Sequence, residues 1–380
     1  MSEVIRVVIT GDTHLGGGRV RKAALDGNAK QLFGEFLPLI READLSITNL
    51  ESPLIDEGTP IPKTGPNLKS PAAAIGVLKD AGFSLVTLAN NHIMDYGQEG
   101  LNSTLEACRS AGIETVGAGN SLEEAQKPFV CEIQGMRLAV VNIAENEFGT
   151  TQNGTPGCNP LNPVQNYYVI QEAAAQADRV IVIVHGGHEH YELPSTRMKE
   201  TYRFYADAGA HAVVAHHTHC ISGYEVYNET PIFYSLGNFL FDSKSTYSGK
   251  VTPWHSGLIA ELKITKNNID FELHPFVQSA DKTGLQPMGA DEKMNLEKKI
   301  GELNNIIQDD EKLEQAFADY CNRVNRMYTS YIEPHSIRLV HALRNRKLLP
   351  SMLSARKRRL LLNLTRCEAH RDVLINTLTK

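Results

Sequence analysis

A mixed α/β domain followed by a helical extension is the fold class this sequence predicts, on three observations. Strand-sized apolar runs alternate with helical patterns from the amino terminus to about Ala215, the stretch from there to about Phe276 is β-rich, and beyond about residue 280 the apolar spacing becomes helical. Strand and helix alternating in this way call for a sheet system with helices outside it.

The elements follow in order. Val4 to Thr10 is an apolar strand ending at Gly11, and a helix is expected over Asn28 to Arg41, with a second strand at Asp44 to Thr48. Ser70 followed by Pro71 is a helix-start signal for Pro71 to Ala81. Phe83 to Ala89 (strand), Gln98 to Ala111 (helix) and Ile113 to Val116 (strand) continue the alternation, and Pro128 to Ile133 with Arg137 to Ile143 reads as a strand pair. A helix around Val164 to Ala177 precedes the apolar strand Val180 to Val184, and a helix over Ser195 to Ala208 precedes Ala212 to Ala215. Ile232 to Ser235, Leu258 to Ile264 and Ile269 to His274 complete the strands. Phe239 and Phe241 are expected in the core.

Composition bounds the function classes. The chain has 380 residues, 42% of them hydrophobic and 22% charged, with 29 glycines and 17 prolines, which excludes collagen-like and disordered classes. A formal charge of −6 gives no global electrostatic reason to bind nucleic acid or an anionic membrane. The first ten residues lack the basic start and long apolar core of a signal peptide, and the longest apolar stretches are strand-sized, so a soluble cytoplasmic protein is expected. Cysteines at 108, 131, 158, 220, 321 and 367 show no paired short spacing, which suits reduced thiols and neither a zinc knuckle nor a disulfide framework.

Composition divides the chain into residues 1–280 and a helical subdomain, 281–380. The latter is first acidic, from Asp291 to about Tyr328, and basic from Ser336 onward, with Arg338, Arg344, Arg346, Lys347, Arg356, Lys357, Arg358, Arg359, Arg366 and Arg371 facing few acids. Two readings stand for it: a helical subdomain packed on the main domain, or an arm that binds a partner or a polyanion.

Five segments place oxygen and imidazole donors just after expected strands, where open α/β sheets build their sites. They are Gly11-Asp12-Thr13-His14, Thr48-Asn49-Leu50-Glu51-Ser52-Pro53, Ala89-Asn90-Asn91-His92, His185-Gly186-Gly187-His188-Glu189-His190, and His216-His217-Thr218-His219. Singly, each has a plain alternative as a cap, turn or surface salt bridge. Together they supply two carboxylates, an amide and at least four imidazoles without a thiolate, enough for two divalent cations of the Mn²⁺, Fe, Zn²⁺ or Mg²⁺ kind. Asn238, in Ser235-Leu236-Gly237-Asn238-Phe239, either shapes a loop near these cations or ends a buried strand in a plain turn.

The motif order GDTH, TNLESP, ANNH with DYG, HGGHEH, HHTH and YSLGNFLFD, over about residues 4 to 276, resembles the CapA-type poly-γ-glutamate (capsule) biosynthesis family, a branch of the calcineurin-like metallophosphoesterases. The resemblance implies a four-layered αββα sandwich with two cations at the strand ends, Mn²⁺ first among them. It implies Asp12, His14 and His219 as ligands of one cation, Glu51 as the bridge, and Asn91, His185 and His217 as ligands of the other. His92 then resembles the imidazole that protonates the leaving group. Asn90, His188, Glu189, His216 and Asn238 are left as substrate-side or ligand-supporting positions. Two departures from the superfamily stand out: Glu51 replaces the usual aspartate, as is typical of the CapA-type branch, and Gly186 replaces the usual tryptophan.

The implied function is metal-assisted hydrolysis of a phosphorylated or polyanionic substrate in capsule or poly-γ-glutamate synthesis. One alternative is a non-catalytic accessory subunit that binds the polymer or the synthesis proteins. The other is a phosphodiesterase or nuclease, with the tail arginines contacting nucleic acid, a partner the overall charge disfavours. Many CapA-type relatives carry an amino-terminal membrane anchor; none is visible here.

Overall fold

The computed structural model describes residues 4–151, 154–242, 251–332, 337–346, 348–366 and 378. The chain divides into two compact units, Met1–Glu314 and Gln315–Lys380.

The first unit is built on two sheets. Four consecutive strands run parallel in the first, β1 (Ile5–His14), β2 (Leu45–Leu50), β3 (Leu85–Thr87) and β4 (Glu114–Val116). Counting β5 (Ala118–Gly119), β6 (Phe129–Ile133), β7 (Met136–Ala144), β8 (Gly157–Cys158), β9 (Arg179–His185), β10 (Ala212–His216), β11 (Tyr224–Tyr227) and β12 (Thr230–Phe233) onward, the second sheet has the order β11-β12-β10-β9-β7-β6, with β12, β10, β9 and β7 parallel. The remaining strands are β13 (Asn238–Phe241), β14 (Ser256–Ile264), β15 (Ile269–Gln278) and β16 (Leu285–Pro287). They extend the first sheet to the order β16-β15-β14-β1-β2-β3-β4, with β13 beside the end of β1. Strand β14 pairs with the first half of β1, and β13 takes over at Asp12.

The parallel strands read as continuous apolar runs because both of their faces are covered. Alternate residues of the first sheet (Val7, Ile9, Ile47, Leu85) meet Leu138, Val140, Ile183 and Val214 of the second in one buried cluster. The opposite face of the first sheet, with Val8, Leu50 and Val86, packs on α1 (Gly18–Leu25), α2 (Ala29–Phe33), α4 (Ile75–Ala81) and α5 (Gly97–Ala111). Helix α6 (Leu122–Gln126) packs on β5, while α7 (Pro163–Gln176) and α8 (Thr196–Asp207) cover the second sheet, burying Ile170, Met198, Tyr202 and Tyr205. Helix, sheet, sheet, helix is the four-layered αββα sandwich that the motifs imply.

Several elements depart from expectation. The helix expected over Asn28 to Arg41 is broken: α2 ends at Gly34, whose φ of +52° leaves the helical region, and α3 (Leu37–Arg41) begins anew with Pro38 in its first turn. Helix α1 and strand β13 were not expected. Phe239 and Phe241 are buried. The helix expected from Asp291 to Tyr328 is two, α9 (Ala290–Gln308) and α10 (Asp310–Tyr331), parted at Asp309. Helix α9 lies in the first unit, with Ile300 part of the inter-sheet cluster, so the compact boundary falls at Glu314 and not at 280.

In the second unit the described basic segment is helical, as α11 (Arg338–Asn345) and α12 (Ala355–Arg366). Ser336, Lys347 and Arg371 lie outside the described residues. Among the described residues no helix is long and apolar enough to cross a membrane.

Candidate metal centre

Because β1, β2, β3, β9 and β10 run the same way within their sheets, the segments that follow them can meet at one edge. Asp12, at the end of β1, is fully buried. Its Oδ1 accepts a 2.7 Å bond from Asn49 Nδ2 and faces His185 Nδ1 at 3.6 Å; its Oδ2 accepts the His217 backbone N–H at 3.0 Å and faces His219 Nδ1 at 3.7 Å. Burial alone would raise the Asp12 carboxyl, yet the facing His185, with His216 and His219, outweighs it and holds the group below the usual carboxylate range.

Glu51 stands one residue beyond β2. It is 0% exposed, and neither carboxylate oxygen has a hydrogen-bond partner among the described residues. Oε1 lies 3.5 Å from His185 Nε2 and 3.9 Å from His219 Nε2. Burial, then the charges of Asp12, Glu189, Glu147 and Asp95, push its carboxyl well above the usual range. A buried carboxylate without a donor costs several kcal/mol unless a cation meets it.

His185 completes the convergence. Its Nε2 faces Asn91 Oδ1 at 3.1 Å, His217 Nδ1 at 3.1 Å and Glu51 Oε1 at 3.5 Å, three electron-pair donors for a nitrogen that can offer at most one proton. Burial pushes its imidazole down to about 3, so a neutral ring with a free lone pair is the form at neutral pH. Burial lowers His216 and His219 as well. Ligand atoms of Glu51, His185 and His217 lie within 4.8 Å of one another, as do those of Asp12, Glu51 and His219. Glu51 belongs to both groups.

The structure therefore brings together Asp12, Glu51, Asn91, His185, His217 and His219. His14 stands slightly apart: it is buried, its Nδ1 meets Ser52 Oγ at 3.1 Å, and burial pushes its ring down to about 3. His14 belongs to neither of the two ligand groups. His92 is held through Nδ1 by Asp95 Oδ2 at 2.7 Å. Asn90 turns inward, donating to Leu50 O and accepting the His92 N–H, so it holds the loop. Asn238 pairs with Asp12 in the sheet register and meets His219 Nδ1 through Oδ1 at 2.8 Å. His216 ends β10 and is buried beside Asp12. Half-buried His188 packs on Tyr191, and Glu189 is exposed.

Other residues join the site beyond those expected in it. Asn49 links Asp12 to His185, reaching His185 Nδ1 at 3.2 Å. Glu147 Oε2 accepts from Asn91 Nδ2 at 3.2 Å, and its Oε1 lies 3.8 Å from His217 Nε2. Trp254, the sole tryptophan, lies against the His219 ring at 4.7 Å between centroids. Asn49 and Asp95 sit inside the TNLESP and DYG motifs and were legible as neighbours; Glu147 comes from a loop and Trp254 from the short 3₁₀ helix Pro253–His255, neither marked by a motif.

A four-layered sandwich with a histidine, carboxylate and amide cluster at its strand ends defines a protein of the metallophosphoesterase fold class with a candidate site for divalent cations. The chain belongs to the bacterial capsule synthesis protein PGA_cap family, whose model matches residues 6–243. It is 34% identical over 245 residues to the PGA biosynthesis protein CapA of Bacillus subtilis (strain 168), a match covering 63% of this chain and 64% of that protein. It is 30% identical over 252 residues to the capsule biosynthesis protein CapA of Bacillus anthracis, covering 63% and 61%. The matches thus span less than two thirds of either relative. Among solved structures, a 5′-nucleotidase precursor from Thermus thermophilus is similar at a TM-score of 0.42 and 14% identity, over 85% of this chain and 59% of that one.

Proposed function

We propose that this chain is a metal-dependent, phosphoesterase-like hydrolase with a two-cation centre, acting on a phosphorylated or polyanionic substrate in capsule or poly-γ-glutamate biosynthesis. The observation that carries the reading is Glu51: a fully buried, unpartnered carboxylate shared by two groups of ligand atoms. The donor set of carboxylate, amide and imidazole suits Mn²⁺ first, with Fe, Zn²⁺ and Mg²⁺ as alternatives. Asp12, His14, Glu51 and His219 would hold one ion, and Glu51, Asn91, His185 and His217 the other. Bound there, the ions would acidify a water and neutralise charge on a phosphoryl oxygen.

The chain's own residues do the rest. Asn49 fixes Asp12 and His185 against each other, and Asn238 fixes the His219 ring. With Nδ1 engaged by Asp95, His92 presents Nε2 as the proton donor: as the bond to the leaving oxygen breaks, that oxygen takes the Nε2 proton. The capsule and poly-γ-glutamate association comes from the names of the two CapA relatives.

The test is metal content of protein purified without chelator, with Mn²⁺-dependent hydrolysis of an aryl phosphodiester, for wild type, Asp12→Ala and His219→Ala. Bound metal and turnover, with both reduced in each variant, are expected. Absence of both from the wild type would leave the accessory-subunit reading, which is favoured by the exposed cationic run Arg356, Lys357, Arg358 and Arg359 on α12. Activity that depends on that run when the substrate is a polynucleotide would favour the nuclease reading.

A further inference from the structure

Lys63 lies on the irregular connection between β2 and α4, where lysines ordinarily extend into water, yet its side chain is 2% exposed. Burying an ammonium is costly unless it is paired, and its partner is Asp95: Nζ forms an ion pair with Oδ1 of that fully buried carboxylate. The other oxygen, Oδ2, meets His92 Nδ1 at 2.7 Å and accepts the Leu68 N–H at 2.6 Å. Lys63 Nζ and His92 Nδ1 are 3.2 Å apart; with Asp95 ionised, both are donors drawn to one carboxylate. The connection is tied to Asp95 through the backbone as well, since Asp95 O accepts from Ile61 N at 2.9 Å and from Asn67 Nδ2 at 3.1 Å.

We infer that Lys63 is a positioning residue for His92: from beside the ring, on the other oxygen of the same carboxylate, it supplies the balancing charge that keeps Asp95 aimed at Nδ1, and so keeps Nε2 turned to the leaving oxygen. This deepens the hydrolase reading and rests on it. The geometry has a specific consequence. A group that aligns the proton donor matters only where the leaving oxygen needs a proton, whereas a residue that merely holds the loop matters for every substrate alike.

The experiment compares the full-length, Mn²⁺-loaded wild type with Lys63→Met and Lys63→Arg on aryl phosphodiesters graded from a p-nitrophenolate to an unsubstituted phenolate leaving group. Lys63→Met is expected to keep kcat near wild type for the p-nitrophenyl ester and to lose about 10²-fold for the phenyl ester, with Lys63→Arg recovering most of that loss. Equal losses on both esters, or no loss on either, would overturn the inference. Ring ¹⁵N NMR of the doubly protonated His92 ring, with Mg²⁺ in place of Mn²⁺, gives a reading independent of turnover: wild type is expected to show an Nδ1–H signal shifted by its bond to Asp95, and Lys63→Met to lose that shift. Wild-type protein that hydrolyses neither ester removes the hydrolase reading, and an unchanged His92 ring spectrum in Lys63→Met removes the positioning role.

Discussion

Asn49 is a neutral side chain, yet it touches both halves of the candidate centre, donating to Asp12 Oδ1 and lying 3.2 Å from His185 Nδ1. Its own Oδ1 is fixed by Thr87 Oγ1 at 3.3 Å. Residues that orient ligands carry much of a site's affinity. Asn49→Leu, which keeps the branching at Cγ and removes the amide, is therefore expected to fold and to bind Mn²⁺ about 10- to 100-fold more weakly, as read by titration calorimetry; wild-type affinity would show that Asp12 and His185 are held by the sheet alone. The candidate ligand residues were legible as a set because each lies within four positions of the carboxyl end of a strand that an apolar run marks. Asn49, Lys63 and Glu147 were not assignable from sequence, because their roles lie in contacts to residues many positions away: Asn49 to His185, Lys63 to Asp95, Glu147 to Asn91 and His217.

Strands β1, β14 and β15 are locked by one buried acid. Glu261 of β14 takes Arg6 Nε of β1 at 2.7 Å and His274 Nε2 of β15 at 2.9 Å. Burial opposes ionisation, but Arg6 and His274 outweigh it and hold the Glu261 carboxyl below its ordinary value of 4.5. A carboxyl lowered in the folded state stabilises fully above the unfolded value, and that contribution disappears as pH falls through the lowered one. The stability difference between wild type and Glu261→Gln, about 1–3 kcal/mol at neutral pH, is thus expected to shrink on acidification below 4.5, as followed by urea unfolding. A difference that is constant with pH would show the network to be neutral. Element types were largely legible from apolar runs and spacing. Their interruptions were not: Gly34 at φ +52° and the break at Asp309 turn expected single helices into pairs, since periodicity continues across a kink. Strand β13 escaped notice because it is four residues long and its pairing partner, Asp12 to His14, is remote in sequence.

At the scale of the whole molecule, two sheets with parallel centres press Val7, Ile9, Ile183 and Val214 into one core and thereby bring strand ends from both sheets to a single buried cluster. Alternation of strand and helix made the layered class legible; how the two sheets face each other follows from residue parity along strands such as β1, which only the pairing reveals. The same core fixes Glu51 where no side chain among the described residues hydrogen-bonds to it. A cation bound there would offset that cost. Glu51→Gln should accordingly have opposite effects in the two states: the metal-free protein melts no lower than wild type, while the rise in melting temperature on adding Mn²⁺ is lost. The most direct test of the centre is metal-to-protein stoichiometry by elemental analysis of wild type and Glu51→Gln after Mn²⁺ loading and desalting. Close to two ions per wild-type chain, with both lost together in the variant, is the expected result; a wild type that retains none, or a variant that retains both, would contradict a centre shared through Glu51.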